Sequence, residues 1–252
     1  MSKHNALDMF GRSGNPTLGD ATFSNFENVH QKTMTLQGTV NKVGILLALV
    51  VLSAAYTWNV YFINGTPGAL MPVGLFGGMI FGLITIFKKN WAMYTAPIYA
   101  ILQGLFLGGI SAIFENQYPG IVIQATGLTF GTLASLLVLY KTGVIKPTEN
   151  FRLMVVSATM GIALLYVVSF IMSMFGSSIG FIHDNGIFGI GFSLFVVGIA
   201  ALNLVLDFDF IEQGSENNAP KYMEWFGAFA LMVTLIWLYL EMLRLLAKLR
   251  SR

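Results

Sequence analysis

The sequence predicts an all-α integral membrane protein, a bundle of seven transmembrane helices. Three observations carry this. Of 252 residues, 55% are hydrophobic and 10% are charged, and mean hydropathy is +0.70. Soluble domains carry roughly 25% charged residues, so a chain this poor in charge could not cover a water-facing surface. The apolar residues fall into seven runs without a charge, and the Lys and Arg gather between them. Lipid is the solvent that reconciles these facts, and it admits helices because a helix satisfies its own backbone.

Residues 1–41 are rich in Gly, Asn, Ser and Thr, as in Gly11, Ser13, Gly14, Asn15 and Pro16, and read as a polar, largely disordered tail. They hold no apolar core of the kind a signal peptide needs. The transmembrane domain is expected over residues 42–252. Its runs are Val43–Ile63, Leu70–Phe87, Trp91–Phe114, Ile121–Tyr140, Leu153–Ile182, Ile187–Leu206 and Trp225–Leu240. A helix needs ~20 residues to cross ~30 Å of hydrocarbon. The fifth run is long and should end near Gly176–Gly180. The last is short, and spans only by drawing Glu224, Glu241 or both into the membrane edge.

Glycines recur one turn apart at Gly74, Gly78 and Gly82, at Gly104 and Gly108, and at Gly127 and Gly131. Small residues at this spacing let helix backbones approach closely in lipid. They support a tight bundle and say nothing about chemistry.

The Lys and Arg set an orientation. With the N-terminus cytoplasmic, Lys3, Arg12, Lys32, Lys42, Lys88, Lys89, Lys141, Lys146, Arg152 and Lys221 lie inside, and Arg244, Lys248, Arg250 and Arg252 lie outside. The C-terminal cluster opposes the rule. Either it is tolerated outside, or the final segment is re-entrant; seven spans is the preferred reading. A plasma membrane of bacterial inner-membrane type is the expected location. The absence of cysteine hints in that direction, and it removes disulfides and thiolate metal sites together.

Several seven-helix chemistries are excluded by residue type. No run holds an interior lysine for a retinal Schiff base. The histidines are His4, His30 and His183, in the tail or a loop, so a serine–histidine protease and a zinc hydrolase both lack their ligands. No GxGD motif marks an aspartyl protease. An enzyme is not expected, and neither is a cofactor. A formal net charge of +2, without basic patches, gives no reason to expect nucleic acid. His183 with Asp184 reads as a polar loop pair rather than a pH sensor.

The acidic residues are the informative ones. Asp207 and Asp209 sit where the sixth run ends, in Leu206-Asp207-Phe208-Asp209-Phe210-Ile211-Glu212, and Glu224 and Glu241 bracket the seventh. Ionisable groups at membrane depth default to a functional hypothesis. The plain alternative is that Asp209, Glu212 and Glu224 are interfacial and solvated, and this is the reading for Glu212. Asp207 and Asp209 are two residues apart and point to nearly opposite faces of a helix. Asn203, one turn earlier, shares the face of Asp207 and favours it as the inward group. Two carboxylates at this depth can share a proton and titrate as a unit. Deprotonated, they offer the hard oxygen ligands that suit Ca²⁺. Asp207, Asp209 and Glu224 are therefore candidate cation-binding residues, for a permeant or weakly held ion rather than a permanent metal.

These stretches resemble the Bax inhibitor (transmembrane Bax inhibitor motif) family, in its bacterial branch. The resemblance runs from about Met34 to the end. It is most specific at Met34-Thr35-Leu36 through Asn41-Lys42, at Leu206–Glu212, and at Ala219-Pro220-Lys221-Tyr222-Met223-Glu224-Trp225 leading into Trp237-Leu238-Tyr239-Leu240-Glu241. It implies seven helices, six around a central seventh. It implies a pH-sensitive Ca²⁺ leak in some members, gated by an aspartate pair between the sixth and seventh helices. Other bacterial members resemble modulators of a membrane-bound protease. Asp207 matches the sixth-helix aspartate. Its seventh-helix partner falls on Glu241 in one alignment and on Thr234 in another, and these two lie seven residues apart on one helix face. The pH-sensing and gating candidates are thus Asp207 with Glu241 or Thr234.

Overall fold

The computed structural model describes residues 33–176 and 186–251. The expected loop pair His183 and Asp184 falls outside them, as do residues 1–32 of the expected tail.

Seven helices among the described residues are long and apolar enough to cross a membrane. They are α1 (Leu36–Asn64), α2 (Leu70–Phe87), α3 (Ala92–Gln117), α4 (Ile121–Lys141), α5 (Glu149–Met174), α6 (Ile187–Glu216) and α7 (Met223–Arg250). A single 3-10 turn, Lys89–Trp91, leads into α3. The protein is an all-α, seven-helix membrane protein.

Helix boundaries follow local capping. α1 begins at Leu36, ahead of the expected limit of the tail at residue 41, because Thr35 is an effective N-cap. Its extended backbone lets the hydroxyl accept from Gly38 N at 3.0 Å. α1 ends at Gly65, whose φ of 74° lets its N–H return to the Tyr61 carbonyl. Thr148 caps α5 in the same way as Thr35, accepting from Phe151 N. α5 stops at Met174, just before Gly176, close to the expected limit.

The last two helices differ most from the apolar runs. α6 continues to Glu216, ten residues past Leu206, and α7 continues from Leu240 to Arg250. Charges ended the runs, but they do not end the helices. Asp207 therefore lies more than two turns before the end of α6 rather than at its terminus. α7 includes both Glu224 and Glu241, and both are buried against the rest of the protein.

Packing explains which glycines matter. A Cβ on Gly104 would meet the Val50 carbonyl at 2.4 Å, and one on Gly108 would meet the Ala54 carbonyl at 2.1 Å. α1 and α3 thus touch backbone to backbone. A Cβ on Gly74 would meet the Leu102 carbonyl at 2.5 Å, which seats α2 on α3 in the same manner. Gly127 and Gly131 behave otherwise, with nothing within 4 Å of either position. Their spacing on α4 is not a packing motif, because that face meets no neighbouring helix.

α7 is the most deeply buried of the seven helices. One side, with Leu231, Leu235 and Leu238, joins a cluster with Leu204 and Phe208 of α6 and Ala125 of α4. The other side, with Ala228, Phe229 and Met232, joins Leu46 of α1 and Ala96 and Tyr99 of α3. It packs on α1, α3, α4 and α6, and Tyr166 of α5 reaches it through a hydrogen bond.

The two ends of the bundle are tied down differently. At one end Met34 N donates to the Ala219 carbonyl at 2.7 Å, joining the start of α1 to the α6–α7 connection. At the other, Arg250 donates to the carbonyls of Tyr118 and Pro119 on the α3–α4 connection and to Gln124 Oε1 in the first turn of α4. α7 runs unbroken between the two as a helix of 28 residues, long and apolar enough to cross a membrane.

Candidate functional site

The acidic residues of α6 and α7 divide by what holds them. Asp207 stands apart. Its Oδ2 is buried and has no hydrogen-bond partner, and it makes no ion pair among the described residues. The side chain that meets its carboxyl is Thr234 of α7. That hydroxyl also lies 3.4 Å from the Ala230 carbonyl, one turn back on its own helix. An unpartnered polar atom in a membrane interior is costly, so the arrangement calls for an explanation beyond stability.

Asn203 does not support Asp207. Its Nδ2 donates to Thr159 Oγ1 of α5 and to the Ile199 carbonyl, each at 2.8 Å. Asp209, on a different face of α6, is paired with Arg152 of α5 and accepts from Gln213 Nε2 at 2.8 Å. Glu212 is not simply solvated, as the sequence reading had it. It accepts the Tyr140 hydroxyl of α4, which reaches it because the α6 helix carries on past the apolar run.

Glu224 is fully buried, which also departs from a solvated interfacial group. Lys42 Nζ lies 2.5 Å from Oε2 and Lys221 Nζ 2.6 Å from Oε1. Thr35 donates to Oε1 twice, from its backbone N at 3.0 Å and its hydroxyl at 2.9 Å. Gly38 makes room for this carboxylate, since a Cβ there would lie 2.0 Å from Glu224 Oε1. Thr35 therefore caps α1 and binds α7 at once. A cation reaching Glu224 would have to displace two ammonium groups.

Glu241 is buried as well. It accepts from Arg244 Nη1, one turn on along α7, at 2.9 and 3.1 Å, and from the Tyr166 hydroxyl of α5 at 3.0 Å. Arg244 also donates to the Tyr166 oxygen at 2.7 Å and lies over its ring. The structure thus brings Thr234 to Asp207 and engages Glu241 elsewhere. Thr234 and Glu241 share a face of α7, as their spacing indicated, but about 10 Å of helix axis separates them.

Sequence reasoning missed Lys42, Tyr166, Arg244 and Lys248 as partners. Arg244 had a signal, since it follows Glu241 at the helical spacing of three. A tyrosine within the fifth run was a second. Lys248 had none: it is buried, and donates to Ser193 Oγ at 2.9 Å and the Gly189 carbonyl at 3.0 Å, both near the start of α6. No three His, Asp or Glu side chains converge as a metal site among the described residues.

Among the carboxyls of α6 and α7 singled out from the sequence, one combines the absence of a counter-ion with a buried oxygen that has no hydrogen-bond partner among the described residues. That carboxyl is Asp207. Asp209, Glu224 and Glu241 are each neutralised by a neighbouring cation.

No curated protein and no solved structure matches the chain. The model of one family, described as Bax inhibitor 1 like, matches residues 15–251. That match covers the tail from residue 15 and all seven helices, and the chain belongs to the Bax inhibitor 1 like family.

Proposed function

We propose that the protein is a pH-sensitive, Ca²⁺-permeable leak channel in which Asp207 is the proton-sensing and gating carboxylate. The observation that carries this reading is the Asp207 Oδ2 atom, buried within α6 and without a partner. Protonated, the carboxyl can donate a hydrogen bond and bears no charge. Ionised, it is an acceptor and a hard ligand of the kind Ca²⁺ prefers. The two forms hold α6 and α7 differently, and Thr234 is the group across the contact that registers the change. One carboxylate is too few ligands for a tight Ca²⁺ site, which favours transit over storage. The basic residues outside the C-terminal cluster favour a cytoplasmic N-terminus, in a membrane of bacterial inner-membrane type.

The deciding experiment is Ca²⁺ flux into liposomes holding the purified protein, on the acid and alkaline sides of neutrality, with Asp207→Asn alongside. Flux that varies with pH, and loses that dependence in the variant, is the expected result. Flux with the same pH profile in the variant would overturn the assignment of Asp207.

A second reading has its own observation. The ion pairs on Asp209, Glu224 and Glu241 are what a structural role for these groups would look like. On that reading the protein is a non-conducting membrane regulator of a membrane-bound protease or stress pathway, with the polar tail as its docking segment. Deleting residues 1–30 separates the two: on the regulator reading it abolishes a partner-dependent phenotype, and on the channel reading it leaves Ca²⁺ flux intact.

A further inference from the structure

A cavity of about 440 Å³ lies between α1, α3, α4 and α7, and it is separate from the carboxylates. Its walls include Leu47, Val51 and Trp58 of α1, Phe130 of α4 and Met232 of α7. α1 is held on α3 by the backbone contacts of Gly104 and Gly108. α4 packs on α6 and α7 instead, and α1 and α4 do not form a packed pair. The cavity is the gap this leaves. It opens sideways, because Val51 and Phe130 on its two walls are exposed.

Three features fix what fills it. Its lining belongs wholly to membrane-spanning helices, so the opening faces hydrocarbon and not water. The lining is almost entirely apolar, and its hydroxyls are engaged within the protein, with Ser111 Oγ 2.6 Å from the Tyr239 hydroxyl, Thr126 hydrogen-bonded to Tyr239, and Thr129 donating to the Ala125 carbonyl at 2.8 Å. It lies across the middle of the apolar run Val43–Ile63, with nearly equal lengths of α1 on either side. From Leu47 to Trp58 is eleven residues of α1, about 16 Å of axis, against about 15 Å for half of a 30 Å hydrocarbon core. Trp58 stands at the end of the crevice nearer the α3–α4 connection, about 7 Å of axis inside the end of the apolar run at Ile63.

We propose that this crevice is a binding site for one acyl chain of a bilayer phospholipid, which enters from the end of the bundle that carries the α3–α4 connection and reaches past the bilayer midplane. The chain lies along α1 between Leu47 and Trp58, and its headgroup stays at the membrane surface. The bound chain completes the contact that α1 and α4 do not make with each other.

The test uses the full chain purified from membranes in a mild detergent. Native mass spectrometry reads lipid retained per chain as detergent rises. The wild type should keep one phospholipid after the bulk is stripped. Val51→Phe and Ala55→Phe fill the crevice from positions that face its opening, and should lose that lipid. Leu52→Phe, exposed but not lining, should keep it. Because a variant could lose lipid through misfolding, a second measurement uses the unmodified chain. In liposomes with trace phospholipid brominated along the acyl chain, the emission quenched should fall when Trp58 is replaced in Trp58→Phe. Equal retention in wild type and filled variants, retention of a free fatty acid in place of phospholipid, or quenching unchanged in Trp58→Phe would each overturn the proposal.

Discussion

Arg244 Nη1 lies 2.9 Å and 3.1 Å from the two carboxylate oxygens of Glu241, and both residues share the Tyr166 hydroxyl. The carboxylate is 2% exposed and the guanidinium side chain 41%. One end of this pair is therefore dry and the other wet. Removing the cation leaves a buried charge with only a phenol to hold it. Removing the carboxylate charge leaves a guanidinium that water can reach.

That asymmetry gives the first prediction. Arg244→Gln should cost about 1–3 kcal/mol, less than the 3–5 kcal/mol typical of a fully buried pair because the arginine is partly solvated. Glu241→Gln should cost less than Arg244→Gln, and the double variant should recover part of the loss. Thermal unfolding in detergent by circular dichroism reads all three. A larger loss in Glu241→Gln would show that the pair is not organised around the buried carboxylate.

Glu224 gives the second. Its carboxylate joins the first turn of α7 to the cap of α1 through Thr35 and Lys42. Glu224→Gln leaves Lys42 and Lys221 side by side without their counter-charge. We expect a loss of about 3 kcal/mol, at the low end for a broken buried pair because Lys221 is half exposed. The local signature matters more than the total. Hydrogen exchange at the Thr35 amide should accelerate markedly, while amides in the middle of α3 stay protected. Uniform acceleration would mean that Glu224 contributes only to global stability.

The glycines give the third. Gly108→Ala places a methyl group 2.1 Å from the Ala54 carbonyl, which only a shift of α1 from α3 can relieve. Such overpacking should cost about 1–3 kcal/mol. Gly127→Ala adds a methyl group in open space, and should be neutral or stabilise by up to about 1 kcal/mol through helix propensity. Unfolding midpoints compare the two directly. Equal effects would show that the α1–α3 approach is looser than the structure has it.

Much of the fold was legible because lipid imposes one rule on every span. The apolar runs found all seven helices, and α2 coincides with its run from Leu70 to Phe87. The ends of α6 and α7 were not legible. A charge was taken to end a span, yet Asp209 continues α6 because Arg152 of α5 neutralises it. Helical spacing placed Thr234 and Glu241 on one face. It could not say which of them meets Asp207, because that depends on how far α7 slides along α6. Tyr166 claims Glu241 from 75 residues away, and no local pattern announces such a contact. Gly104 and Gly127 carry the same motif, and only the neighbouring helix gives it meaning.

The fourth prediction separates Asp207 from Asp209, two residues apart in one helix. Asp209 has a counter-ion in Arg152, and Asp207 has none among the described residues. Asp209→Asn breaks a partly exposed pair and should cost about 0.2–1 kcal/mol. Asp207→Asn removes the capacity for charge from a site that offers it no counter-ion, so stability should hold or rise. Flux should respond the opposite way. If Asp207 senses the proton, Asp207→Asn abolishes the pH dependence of Ca²⁺ flux while the less stable Asp209→Asn retains it. Liposome flux and unfolding midpoints on the same two preparations read both effects. Should Asp209→Asn be the variant that loses pH dependence, the Arg152 pair at the end of α6 would be the gate, and the unpartnered oxygen of Asp207 would need another explanation.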